Sequence, residues 1–294
     1  MFIDCHLHAR IKDGLPRNAA GDNYTTPEEL IAMMDRTGVD KGVLLPGVSP
    51  ECRHQITTPE DILEIAAKYP DRFIPFCNLD PRSETNSPEA DFSRPLLYYK
   101  ERGCKGVGEL CANIPFDDPL ALNLFKYCEA CEMPVLFHIG PKAGGCYGLI
   151  DDLGLPRLEK CLQLFPKLVF IGHSQPFWAE ISADVTEKNR NTYPPGKIIP
   201  GGAVPRLLDN YPNLYGDISA GSRYNALTRD PESGFQFMEK YQDRLLFGTD
   251  ICSPKNNHRH AEFLRNSLKE GKISGKTFEK ITWQNINRTL SLGL

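Results

Sequence analysis

Near its N-terminus the chain reads Asp4-Cys5-His6-Leu7-His8. Alternate side chains of a strand share a face, so Asp4, His6 and His8 are expected together. Two imidazoles at this spacing can reach one divalent ion. A His-x-His pair also arises by chance, so the other chemistry-bearing residues decide its meaning. His138 lies in Pro134-Val135-Leu136-Phe137-His138, His173 in Phe170-Ile171-Gly172-His173 and Asp250 in Phe247-Gly248-Thr249-Asp250. One histidine at a strand end is more often a satisfied core residue than a ligand. Four histidines and an aspartate at the ends of four β-rich runs imply a metal centre if those ends converge. Its expected chemistry is the activation of water against a carbonyl bond.

The elements that would bring these residues together repeat along the chain. Eight β-branched or aromatic-rich runs are expected as strands: Phe2–His8, Lys41–Pro46, Arg72–Asp80, Cys104–Leu110, Pro134–Gly140, Lys167–Ser174, Asn213–Ser219 and Arg244–Asp250. Each is followed by a helical stretch, which predicts an α/β fold, a (β/α)8 TIM barrel, with an extra C-terminal helix over Lys276–Leu290. Helix starts are signalled by Thr26-Pro27, Thr58-Pro59, Asp118-Pro119 and Asp230-Pro231. Stops are signalled by Gly38, Gly103 and Gly271, and by Tyr69-Pro70 and Tyr211-Pro212. A doubly wound sheet is disfavoured, because no Gly-x-Gly-x-x-Gly follows the first strand. The spacing widens at Gln175–Gly202, rich in Pro, Gly and Asn. This segment is expected to be a loop over the mouth of the barrel, with Phe177 and Trp178 as an apolar wall.

No low-complexity linker divides residues 1–294, so one barrel domain is expected. A formal net charge of −4 argues against a nucleic-acid binder. No apolar run reaches the length of a membrane span, and no basic region with an apolar stretch opens the chain, so a cytoplasmic protein is expected. The 10 cysteines are too dispersed for a disulfide scaffold and are expected as free thiols. Cys128-x-x-Cys131 has no second CxxC to complete a thiolate site, and packing accounts for it.

The constellation resembles the amidohydrolase superfamily, in its amidohydrolase-related branch, over nearly the whole chain. The likeness rests on Asp4-Cys5-His6-Leu7-His8, on Asp117-Asp118-Pro119 leading to Met133–His138, on Ile171-Gly172-His173-Ser174 and on Phe247-Gly248-Thr249-Asp250. The resemblance implies that His6, His8 and His138 bind a metal, with Asp250 completing the site. It makes His173 either a catalytic histidine beside the metal or the ligand of a second ion. Glu109 ends the fourth strand, where several branches place a carboxylate or modified lysine that bridges two metals. Its alternative is an interior salt bridge, for instance to Lys105.

The expected cofactor is one divalent metal, Zn²⁺ first, with Mn²⁺ or Fe²⁺ also suited and a second ion compatible with the same residues. The expected activity is hydrolysis of an amide, lactone or similar bond of a small molecule. Asp250 would exchange the proton and His173 would steady the developing oxyanion. Non-oxidative decarboxylation of an aromatic or unsaturated acid is the alternative on the same ligands. Substrate contacts are sought among Arg10, His54, Trp178 and Arg223, the arginines as anchors for a carboxylate. Arg53, Lys142 and Tyr147 also fall just beyond strand ends. His258-x-His260 lies past the last strand and is expected at a solvated surface. The expected partner is a small-molecule substrate, with no nucleic acid or membrane, and homo-oligomer formation is compatible with the sequence.

Overall fold

The computed structural model describes residues 1–52, 55–257 and 259–294. Every expected strand forms, in a shorter version: β1 (Ile3–Leu7), β2 (Lys41–Leu44), β3 (Phe73–Pro75), β4 (Val107–Leu110), β5 (Val135–Gly140), β7 (Phe170–His173), β8 (Leu214–Ile218) and β9 (Leu245–Phe247). A two-residue strand, β6 (Leu149–Ile150), adds to the end of β5. All pairings are parallel, in the orders β1-β2-β3 and β4-β5-β7-β8-β9. Bridges from Cys77 to Val107 and from Leu7 to Ile251 join the two runs at both edges. The result is a closed (β/α)8 barrel. Among the described residues no helix is long and apolar enough to cross a membrane.

Local chemistry explains the helix boundaries. Thr26 and Thr58 each accept a hydrogen bond from the N–H three residues on, while Glu29 and Asp61 reach back to the cap, with proline at the first helical position. Asp118 caps through Leu120. Asp230 does not cap, because its carboxylate accepts instead from the Ile198 N–H and the Ser233 hydroxyl. The C-terminal helix runs over residues 275–290, with one π turn at Lys280–Gln284. It packs Ile286 and Leu290 against Ile3, Val43, Leu136 and Leu246, so it closes the apolar end of the barrel.

Two β-bulges correct the simple alternation. Between Asp4 and Leu7, β1 carries one more residue than its partner β2 does between Gly42 and Leu44. Asp4 therefore leaves the face of His6 and His8, and its carboxylate accepts from the Thr249 N–H and hydroxyl and from the His6 N–H. The second bulge lies between Val107 and Leu110 and turns Glu109 inward. It depends on Gly108, at φ 153°, where an added Cβ would lie 2.7 Å from the Leu136 carbonyl oxygen.

The segment after β7 departs from the expected loop only at its start, since residues 180–202 contain no helix or strand. Gln175–Ala179 is helical, capped by the Ser174 hydroxyl. The Phe177 ring sits over Gly172 and the Trp178 ring over Gly216, and both side chains are fully buried. Residues beyond this helix are tied down by the buried Arg190, whose guanidinium donates to Glu180 and to the Asp151 carbonyl.

Candidate metal centre

At the C-terminal ends of the strands, His6, His8, Glu109, His138, His173 and Asp250 converge. Parallel register sets His138 directly beside His173. Barrel closure brings β1 to the end of β9, where the Asp250 N–H donates to the His6 carbonyl at 2.9 Å. Asp250 is held at φ 59°, a left-handed conformation that aims its carboxylate at the two imidazoles.

Hydrogen bonds dictate the tautomers. His6 donates through Nδ1 to Asp217 at 2.6 Å, and His8 through Nδ1 to the Leu45 carbonyl at 3.1 Å. Their Nε2 atoms then present lone pairs toward each other across 3.0 Å. Two facing lone pairs repel unless a cation lies between them. The Oε2 atom of Glu109 is 3.5 Å from His6 Nε2 and 3.4 Å from His8 Nε2, and Asp250 Oδ1 is 3.5 and 3.6 Å from the same atoms. Donors about 2.1 Å from a tetrahedral ion are about 3.4 Å apart. Ligand-spaced groups here are His6 with His8 and Asp250, and His6 with Glu109 and His173, so both carboxylates stand at donor distance from the imidazoles of a candidate site for a divalent ion.

Without an ion, the same acidic surroundings favour a proton on the His6 imidazole. Burial works against a charged His6, but Asp250, Asp217 and Glu109 overcome it and hold its pKa well above the ordinary value. Burial would likewise raise Glu109, yet its charged surroundings at His6 and the hydrogen bond from His138 hold it well below the carboxylate range. Asp217 is also driven down, against burial, by His6 and His173. Three carboxylates thus surround imidazoles that a divalent ion would serve better than protons.

The other histidines take distinct positions. His138 donates through Nδ1 to Glu109 Oε1 at 2.7 Å, which orients that carboxylate. A second cluster joins Glu109, His138 and the buried thiol of Cys111. His173 is fixed through Nδ1 by Asp217 at 2.9 Å and lies beside Ser219, which leaves Nε2 3.9 Å from both Glu109 Oε1 and Asp250 Oδ2. Asp217 was missed in the sequence. Its one signal was an acid near the end of a strand, the same signal that marks Asp250.

A cavity of about 240 Å³ opens above the cluster, floored by His8, Glu109, His173 and Asp250 and walled by Arg17, Tyr24, Gln55, Tyr147 and Cys252. Of its wall residues only Tyr147 had been singled out, as a residue near a strand end; its ring lies over His138 at 4.4 Å. The expected substrate contacts are placed elsewhere. Arg10 is spent on the Tyr24 carbonyl and on Asp13. Trp178 donates its indole N–H to the Asp217 carbonyl at 2.9 Å and packs on Phe237, away from the cavity. Arg223 is fully buried near Met238 and Phe263, and burial pulls its pKa down to about 9, with Asp217 opposing. His54, Arg53 and His258 lie outside the described residues. His260 is buried and bonded to the Ala220 carbonyl rather than solvated. Cys128 and Cys131 are buried free thiols.

Comparison with known proteins places the chain. The amidohydrolase family profile matches residues 3–292. The chain belongs to the amidohydrolase family. No curated protein matches its sequence. Its fold is shared with an uncharacterized TIM-barrel protein from Bordetella bronchiseptica (18% identity, 99% and 98% of the two chains covered, TM-score 0.65). It is also shared with a dihydroxybenzoic acid decarboxylase from a Polaromonas species, with bound manganese and 2-nitroresorcinol (16% identity, 100% and 97% covered, TM-score 0.63). A third is a probable 2-pyrone-4,6-dicarboxylic acid hydrolase from Acinetobacter baumannii (13% identity, 99% and 99% covered, TM-score 0.59).

Proposed function

We propose that this protein is a metal-dependent hydrolase that cleaves an amide, lactone or similar carbonyl bond of a small molecule. The observation that carries this reading is the convergence of His6, His8, Glu109 and Asp250, with both carboxylates at donor distance from the imidazole pair, beneath a cavity. A divalent ion held there, Zn²⁺ or Mn²⁺, would supply Lewis acidity and an activated water.

The protein's own groups divide the remaining work. Of the two carboxylates of the set Asp250 is the more open to the cavity, with a quarter of its side chain exposed against 7% for Glu109. It takes the proton from attacking water and returns it to the leaving group. His173 faces the cavity through Nε2, because Asp217 holds its other nitrogen. As an imidazolium paired with Asp217 through Nδ1, it donates from Nε2 to the substrate oxygen as charge develops. Glu109 stays ionised and His138 keeps it oriented.

Decarboxylation is the second reading, since the manganese-bound Polaromonas relative is a decarboxylase and the same residues would serve it. Products decide between the two. Purified protein loaded with Zn²⁺ or Mn²⁺ is incubated with panels of amides, lactones, esters and aromatic acids, and the products are identified by mass spectrometry. Metal-dependent gain of water is expected. Release of CO₂ without it would overturn the hydrolase reading.

A further inference from the structure

The floor of the cavity is acidic, with Glu109 and Asp250 on it, yet one wall carries a cation. Arg17 lies in the segment after β1. Its backbone N–H donates to the Asp22 carbonyl at 2.7 Å, and its guanidinium carbon lies 4.6 Å from the centre of the Tyr24 ring. Its Nη1 donates to the Cys252 sulfur at 3.0 Å, a weak acceptor for so strong a donor. The two carboxylates of its own segment are engaged elsewhere, Asp13 with Arg10 and Asp22 with Lys255. Among the described residues Arg17 forms no ion pair, although it is held at the cavity wall. A planar guanidinium in this setting matches a carboxylate better than it matches a thiol.

Resting on the hydrolase reading, we infer that Arg17 binds a carboxylate at the end of the substrate remote from the reacting bond. The substrate is then a small organic acid. The cavity, at about 240 Å³, is smaller than the ~300–1,000 Å³ typical of drug-sized ligands, which limits the acid to a compact skeleton. One end meets the metal set and the other meets Arg17, so the distal charge both orients the substrate and offsets the repulsion of the acidic floor.

The test uses straight-chain dicarboxylates from malonate to adipate, each paired with the monocarboxylate of equal carbon number. Binding to metal-loaded wild type, Arg17→Ala and Arg17→Lys is measured by calorimetry, with metal content determined on the same samples. At one or more chain lengths, wild type should prefer the dicarboxylate by ~10–100-fold, the value of a charge-assisted hydrogen bond. Arg17→Ala should lose that preference while keeping its metal and its monocarboxylate affinity, and Arg17→Lys should keep part of it. Absence of the preference at every length, or its survival in Arg17→Ala, overturns the inference with the metal reading intact. Failure of wild type to retain metal or to bind either acid overturns both.

Discussion

Asp217→Asn tests the centre through a residue that lies behind the ligands. Asp217 accepts from His6 Nδ1 at 2.6 Å, from the Ser219 hydroxyl at 2.9 Å and from the Ser219 N–H at 2.9 Å, and it pairs with His173 Nδ1 at 2.9 Å. An asparagine is nearly the same size, keeps one acceptor oxygen and loses the charge. Its NH₂ group would meet either the imidazole N–H groups or the Ser219 N–H, so one imidazole loses its partner or flips its tautomer. A charge-assisted hydrogen bond is worth about 1.5–3 kcal/mol, and loss of a group that orients a metal ligand typically costs about 10–100-fold in affinity. These agree, since 1.4 kcal/mol is about a factor of ten. Asp217→Asn should therefore weaken metal binding by about 10–100-fold, read by chelator competition. At saturating wild-type metal concentration, the stabilisation conferred by metal should fall by up to about 2.7 kcal/mol. Melting of metal-free protein separates this effect from general damage. Unchanged affinity in a variant that folds normally would refute the assignment of Asp217 as the group that orients His6.

Three further outcomes follow from the same geometry. His8→Ala should abolish metal retention, whereas His173→Ala should retain the ion and lose turnover by about 10² to 10⁴-fold, measured as metal per chain and kcat. Trp178→Ala should cost about 3–5 kcal/mol in urea unfolding, because it empties a fully buried site, and should not act as the loss of a cavity wall would, through KM alone. Burial raises Glu180 to about 7 and Asp151 to about 6, with Arg190 opposing in both. The folded state thus holds protons that the unfolded chain releases, so these groups favour folding below the unfolded carboxylate pKa and lose that effect as pH rises toward 7. The urea midpoint of metal-free Glu180→Gln should accordingly fall less between pH 5 and 7 than that of wild type; an equal fall would show that Glu180 does not titrate there.

Much of this protein was legible in its residues alone. The eight strands and the ends carrying His6, His8, His138, His173 and Asp250 were readable because β-rich runs and capping signals are local properties. Family membership was readable because the motifs sit at those strand ends. The bulges were not legible, since an extra residue is defined only against the partner strand, and two of them aim the β1 and β4 residues. Nor could sequence spacing show that His138 is hydrogen-bonded to Glu109, because that contact is made between two different strands. Arg223 and Trp178 looked like mouth residues from their positions after strands, yet facing glycines and neighbouring helices draw them into the core. Arg17 was passed over for the converse reason. Whether a loop arginine faces solvent, a neighbouring acid or a cavity depends on where distant segments fold, and here the residues after β9 bring Cys252 beside it.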